Sequence, residues 1–565
     1  MYVDFISLLE KSIRHNWNRN ALSDYGGVSH RYSDVARKVA KLHILFKHAG
    51  IKPGDRIAIY GRNSAQWSMA FIASISYGAV AVPVLHEFRG KQVHNIINHC
   101  GARLLFCGEQ VWPQVDVNEI PGVAGVISIA DYALLSSRSD SLKEARENLN
   151  AYYGKEYPRD FGPADLKYHP QPDGEALALI NYTSGTTGYS KGVELPYRSL
   201  WSNSLTAQEL APETFQPGNC IVAILPSAHM DGLMFELVAG FLVGMHTYYL
   251  TRVPSPRIIF QAFGEVKPHI AICVPLVMEK ILQQGVVPKL KRPALRAALY
   301  IPVARERVMG RIKEQLIAAF GGRIHQVVMG GAAFNPKLEK LLHETGFPYT
   351  IGYGTTETGP LVTFEHASTF ILGTCGRVAP RMELRIDSAN PHLEVGEVLV
   401  RGTNLMLGYY NNPEATAAVI DKQGWYHTGD LGLLSPENHL IIKGRIKNML
   451  LTPNGQNVYP EEVESVFGAL PLVSECLMVQ REDKFVMLVY PDYIVAEHQG
   501  LTRLAIENLM ERHRRNVNDH LNRYEQLSAV ELREEEFEKT PKKSIKRYKY
   551  TGLGFMFQKD SRLRL

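Results

Sequence analysis

The chain has 565 residues, 45% of them hydrophobic and 21% charged, which is too long for one ordinary core and predicts a large body of two or three lobes plus a smaller domain. Near-average composition and the lack of any repeat exclude a disordered chain and a solenoid. The net charge of +5 comes partly from RHRR at 512–515 and KTPKKSIKRYKY at 539–550; such clusters fit a solvated face, a polyanionic small ligand or peripheral contact with a membrane surface. No aromatic-interleaved basic repeat accompanies them, so nucleic acid is not an expected partner.

Six scattered cysteines, Cys100, Cys107, Cys220, Cys273, Cys375 and Cys476, form no C-x-x-C pair, and no secretory pattern precedes Asp4. Free thiols in a reducing cytosol, and hence a cytoplasmic protein, are expected. The longest apolar run, near Met69–Leu85, is interrupted by Ser, Gly and Pro and is shorter than a membrane span needs. It reads as a core helix followed by a buried strand.

Short β-rich runs alternate with helical stretches from the N-terminus onward. RIAIYG at 56–61, SAQWSMAFIASISYG and AVAVPV at 79–84 set a βαβ rhythm that recurs at ARLLFCG, CIVAILP, HIAICVP and RIHQVVMGG. This predicts an α/β fold with doubly wound parallel sheets. Near Gly373 the texture changes to shorter alternating strands, MELRID, GEVLVRG and GLLSPENHLIIKGR, which suit a barrel-like subdomain over about 373–444. Beyond Arg445, PEEVESVFGAL reads as a Pro-started helix, CLMVQ and FVMLVYP as strands, and 502–523 as an amphipathic helix. The predicted domains are therefore 1–446 and a small, mobile α+β unit at 447–565.

TSGTTGYSKG at 183–192 follows the apolar run ALALINY. Three glycines and five hydroxyl residues in ten positions can wrap phosphate oxygens with backbone N–H groups and hydroxyls, with Lys191 as a fixed cation. Ser190 before Lys191 and Gly192 after it set the segment apart from G-x-x-x-x-G-K-[ST]. By composition alone, a flexible surface loop fits as well. Further along, VMGGAAF at 328–334 ends a strand in paired glycines, GYGTTETG at 352–359 places Tyr353, Thr356 and Glu357 on a turn, and YHTGDLG and IKGRIKN carry Asp430 and Arg445. Each of these in isolation is also compatible with an ordinary turn or a surface charge.

Taken in order, these segments resemble the adenylate-forming superfamily of acyl-CoA synthetases, adenylation domains and luciferases, and most closely a long-chain fatty acid–CoA ligase. The resemblance implies ATP, Mg2+ and coenzyme A as co-substrates or cofactors. It implies phosphate contacts from Thr183, Ser184, Gly185, Thr186, Thr187, Gly188 and Lys191, and adenine contacts from Gly330, Gly331, Ala332, Ala333 and Tyr353, with Gly354 and Thr355 in the same turn. It further assigns phosphate contact to Thr356, Mg2+ to Glu357, the ribose hydroxyls to Asp430 and Arg445, a hinge to Lys447 and a loop on the coenzyme A side to Gly455. A hard cation held by oxygen suits the departing pyrophosphate, and a hinge lets one small domain serve two half-reactions.

The lysine that bridges carboxylate and α-phosphate in the family falls here on Ser544, within TPKKSIKR, and Lys543 or Lys546 is the alternative. At the acyl end, LPSAHMDGLMFE at 225–236 resembles the fatty acyl pocket motif, with His229 at the gating position. Asp231, one residue out of register, resembles the amine-holding aspartate of amino-acid-activating relatives. KPHIAICVPLVMEKI at 267–281 resembles the long-chain branch, and 282–324 can supply its helical insertion. These features imply a medium- to long-chain fatty acid as the small-molecule carboxylate. An amino-acid or carrier-protein ligase and an inactive nucleotide-binding homologue stay open, as do chain length, oligomeric state and membrane association.

Overall fold

The computed structural model describes residues 2–171, 173–183, 191–251, 255–452, 456–481, 484–539 and 545–551. The predicted site residues Ser184, Gly185, Thr186, Thr187, Gly188, Gly455 and Lys543, and the lysine-position Ser544, lie outside that set.

The βαβ rhythm of the sequence closes into two large sheets. Five parallel strands, Leu177–Thr183, Val80–Val84, Arg56–Tyr60, Leu104–Cys107 and Gly125–Ser128, form the middle of an eight-stranded sheet with antiparallel strands at both edges. A seven-stranded sheet runs Tyr349–Ile351, Gln326–Met329, Ile270–Cys273, Cys220–Ala223, His246–Tyr249, Asn20–Asp24 and Ser29–Arg31, parallel except at its last pair. These strands read as continuous apolar runs because both faces are covered. The helix Ala65–Ser76 is buried along nearly all its length, as its all-round apolar sequence requires. The fold is α/β with doubly wound parallel sheets.

The change of texture near Gly373 becomes a four-stranded antiparallel sheet, Met382–Asp387, Gly396–Gly402, Tyr426–Leu434 and Leu440–Arg445. After it, Pro460–Gly468 is a helix with proline at its first turn. The strands Val473–Arg481, Lys484–Pro491 and Leu527–Leu532 and the helix Arg503–Asn518 complete a smaller α+β unit with its own buried clusters. All six cysteines are free, four of them buried. No described helix is long and apolar enough to cross a membrane.

Candidate active site

Asp430 and Arg445 are direct cross-strand partners where Tyr426–Leu434 pairs with Leu440–Arg445, which places their side chains on one face. Arg445 Nε lies 2.8 Å from Asp430 Oδ1, and the Tyr353 hydroxyl donates to Oδ2 at 2.6 Å. Asp430 is 3% exposed. Burial raises its carboxyl above the ordinary range, while Arg445 and Tyr353 pull it back. Burial, and then the Asp430 charge, push the Tyr353 hydroxyl well above its usual value, so it remains a donor.

The turn carrying Asp430 is pinned from below. Thr428 donates to the Val398 carbonyl at 2.8 Å and accepts from the Asp430 N–H at 3.0 Å. Glu397 accepts from the Gly429 N–H at 2.9 Å and meets His427 Nδ1 at 2.8 Å. Gly429 has φ +71°, a left-handed conformation that favours glycine. Neither Glu397 nor His427 stands out as a site residue in the sequence, although GEVLVRG already marked the strand that carries the carboxylate.

A second cluster adjoins the first, since the charge of Glu357 also bears on Asp430 and Arg445. The Tyr409 hydroxyl donates to Glu357 Oε1 at 2.9 Å, and Lys191 Nζ sits 4.4 Å from the centre of the Tyr409 ring, a cation–π contact. Tyr409 thus joins the candidate metal ligand to the candidate phosphate cation. Sequence reading missed it, because LGYYN has no polar pattern to single it out. Thr183 and Lys191 are paired at the ends of adjacent strands, which brings Thr183 to this cluster. Thr356 is buried in the short turn that holds Glu357, and Thr355 N–H donates to Thr358 Oγ1 at 3.1 Å. A Cβ at Gly354 would overlap the Pro360 carbonyl, so the turn admits no side chain there.

Gly331, Ala332 and Ala333 follow the strand Gln326–Met329 as an exposed run of small residues, suited to main-chain contact with a flat ring. Gly331 has φ +79°.

His229 lies on a turn after the strand Cys220–Ala223, half-buried, with Nδ1 4.0 Å from Asp231. The turn is clamped by remote side chains that the sequence did not reveal. Asn63 donates to the Leu225 carbonyl and accepts from the Ser227 N–H, both at 2.6 Å. Asn181 donates to the Ala228 carbonyl at 2.9 Å, and Glu236 accepts from the Ile224 and Leu225 N–H groups at 3.0 and 3.3 Å. Glu236 is 1% exposed, and burial raises its carboxyl well above the usual range.

Lys447 is exposed just beyond the strand Leu440–Arg445. Two contacts bridge the chain across it: Lys443 pairs with Glu462 at 2.7 Å and Asn335 donates to the Ser465 carbonyl, while beyond it Asn448 donates to Glu461 at 2.6 Å. Lys546 is ion-paired with Glu538 rather than with the clusters above. Arg547, next along, is fixed to Glu464 at 2.7 Å.

For a hard cation the donor set is sparse. No group of three or more His, Cys, Asp or Glu able to hold a metal occurs among the described residues. One carboxylate at Glu357 beside hydroxyl groups nevertheless fits Mg2+, which keeps several waters and shares phosphate oxygens.

The architecture is that of an α/β protein in which two polar clusters from separate stretches adjoin each other. The model of the AMP-binding enzyme family matches residues 9–410, and the chain belongs to that family, the adenylate-forming group its motifs resemble. It is 27% identical over 488 residues to the peroxisomal long chain acyl-CoA synthetase 6 of Arabidopsis thaliana, covering 81% of this chain and 67% of the relative. It is equally 27% identical over 467 residues to the indoleacetate–CoA ligase of Aromatoleum aromaticum, covering 80% of each. Among solved structures, the anthranilate CoA ligase AuaEII in complex with anthranoyl-AMP superposes with a TM-score of 0.76 at 20% identity, over 97% of this chain and 96% of that one.

Proposed function

We propose that the protein is an acid–thiol ligase that activates a medium- to long-chain fatty acid with ATP and passes the acyl group to coenzyme A. The observation that carries this reading is the pairing of two clusters from separate stretches: Asp430 held by Tyr353 and Arg445, and Glu357 linked through Tyr409 to Lys191.

In the first half-reaction a carboxylate oxygen forms a bond to the α-phosphorus, and the bond to the bridging oxygen breaks as pyrophosphate leaves. Asp430 accepts from the ribose hydroxyls with Arg445 beside it, and Tyr353 and the main chain at Gly331–Ala333 flank the adenine. Lys191 and Thr183, with Ser184, Gly185, Thr186, Thr187 and Gly188, cradle the phosphates, and Thr356 adds a hydroxyl. Glu357 would hold Mg2+, which offsets charge on the departing pyrophosphate. His229 borders the carboxylate. In the second half-reaction the thiol sulfur bonds the acyl carbon, the carbon–oxygen bond to AMP breaks, and the thiol proton is released. A turn of residues 447–565 about Lys447, bringing Gly455 to the thiol side, separates the two chemistries. With Ser544 at the family's lysine position, Lys543 or Lys546 is the candidate to bridge carboxylate and α-phosphate; Lys546 would have to leave its pairing with Glu538 to do so.

The fatty acid reading is favoured by the 267–281 pattern, by the helices Pro293–Ala298 and Pro302–Ala319 in the expected insertion, and by relatives that include a long-chain synthetase. Pyrophosphate release measured on a panel of straight-chain, aryl and amino acids, with and without coenzyme A, tests it. Turnover is expected on fatty acids and to depend on the thiol for completion. A preference for aryl or amino acids would sink the substrate assignment, and silence on every acid would sink the ligase.

A further inference from the structure

Between residues 282 and 313 the chain carries eight cations and one carboxylate, Glu306, a local excess larger than the +5 of the whole protein. Two helices begin there on prolines, Pro293–Ala298 and Pro302–Ala319. At their junction three large apolar side chains face solvent: Tyr300 is 80% exposed, Ile301 59% and Val303 62%. Val303, Arg307 and Arg311 recur every four residues and so form one stripe of the second helix. The stripe borders a hollow of about 420 Å3 whose lining also includes Ile301, Ala304 and Val308. Lys289, Lys291, Arg292 and Arg296 are exposed on the preceding turns.

We propose that this surface docks the protein on an anionic lipid bilayer, with Tyr300, Ile301 and Val303 entering the headgroup layer and the surrounding cations binding lipid phosphates. Each half of the arrangement has its own physical warrant. Aromatic and aliphatic side chains gain by leaving water at an interface, and each nearby Lys or Arg adds attraction to anionic headgroups. Long cationic stems let the charge stay at phosphate depth while their methylenes lie against apolar surface. The exposed apolar trio favours lipid over RNA, which would call for stacked aromatics along a groove. The contact is interfacial, in keeping with the lack of a membrane-crossing helix among the described residues. It is independent of the ligase reading, because its readout is binding.

Co-flotation of the full chain with phosphatidylcholine vesicles, with and without phosphatidylglycerol, tests the proposal at low and high salt. Binding is expected only with the anionic lipid and is expected to weaken as salt rises. A variant carrying Arg292→Ala, Arg296→Ala and Arg307→Ala should lose partitioning by about a hundredfold, at roughly fivefold per cation. Tyr300→Ser with Ile301→Ser and Val303→Ser should also release the protein, while Arg512→Ala, in the other basic cluster, should leave binding intact. Thermal melts of each variant verify folding. Absence of vesicle binding, full binding by both triple variants, or binding to a single-stranded RNA oligonucleotide instead of vesicles would overturn it.

Discussion

The nucleotide end and the acyl end of the candidate site are built in opposite ways. Around Asp430 and Glu357 the contacts that hold the two carboxylates join one side chain to another: Tyr353 to Asp430, Arg445 to Asp430 from the neighbouring strand, Tyr409 to Glu357. Around His229 they join side chains to backbone, with Asn63, Asn181 and Glu236 gripping the carbonyls and N–H groups of a turn. The first design fixes the charges themselves. The second fixes the path of the chain and leaves the turn's own side chains free to vary with the acid, which suits a family whose relatives are named for acids as different as a long-chain fatty acid and indoleacetate.

If the contrast is right, the largest loss should come from Asp430→Ala. Removing a buried charged acceptor and leaving Arg445 and Tyr353 without it should lower kcat/KM for ATP by about two to three orders of magnitude, with little change in the KM for the acid; steady-state kinetics on both substrates checks this. Asn63→Ala should act in the other direction. It strands the Leu225 carbonyl and Ser227 N–H at a cost of about 1–3 kcal/mol, visible in denaturant melts, and it should raise the KM for the acid while sparing that for ATP. Equal effects of both variants on both substrates would erase the distinction between the two ends.

Tyr409→Phe keeps the ring under Lys191 and deletes the hydroxyl that bonds Glu357, so a fall of about tenfold in adenylation rate is expected, accompanied by a higher Mg2+ requirement in a metal titration. Glu236 gives a pH test. Its folded value is raised by burial, so the stability it contributes is complete below the unfolded carboxyl value and is lost as pH rises through the folded one. Glu236→Gln retains an acceptor for the two N–H groups and removes that loss. Its Tm relative to the parent should therefore climb from acid to alkaline pH, and a constant offset would show the group to be ionised in the folded chain. The smallest effect is expected from Glu462→Ala, which removes a part-exposed ion pair worth at most about 1 kcal/mol. It should shift the ratio of thioester formation to adenylation by about two- to fivefold in single-turnover measurements.

The same contrast explains which parts of the site were legible in the sequence. Asp430, Glu357 and Lys191 stand in short motifs that resemble the family's, and their proposed contacts with ribose, metal and phosphate call for particular donors at particular spacings; the parallel strands were legible because double burial leaves uninterrupted apolar runs. Asn63, Tyr409 and Glu397 were invisible for a different reason. Each serves a partner between 32 and 164 residues away, and a single amide, phenol or carboxylate carries no local pattern to mark such a partner. Glu236 stands in the acyl-pocket segment 225–236, yet nothing in that string distinguishes a carboxyl buried among backbone N–H groups from a solvated one.

The ladder that pairs Asp430 with Arg445 ends two residues before Lys447. A turn at that lysine would leave the nucleoside's anchors in place and carry away only the residues beyond it, so AMP could stay seated as a leaving group while its surroundings are exchanged. Among the described residues, the polar contacts to be surrendered are Lys443 with Glu462 and Asn335 with Ser465. Both are polar and both can be replaced by water. Among the described residues no buried apolar cluster spans both units, so the chain would rotate on a latch of polar contacts, and catalysis in two poses would need no partial unfolding between them.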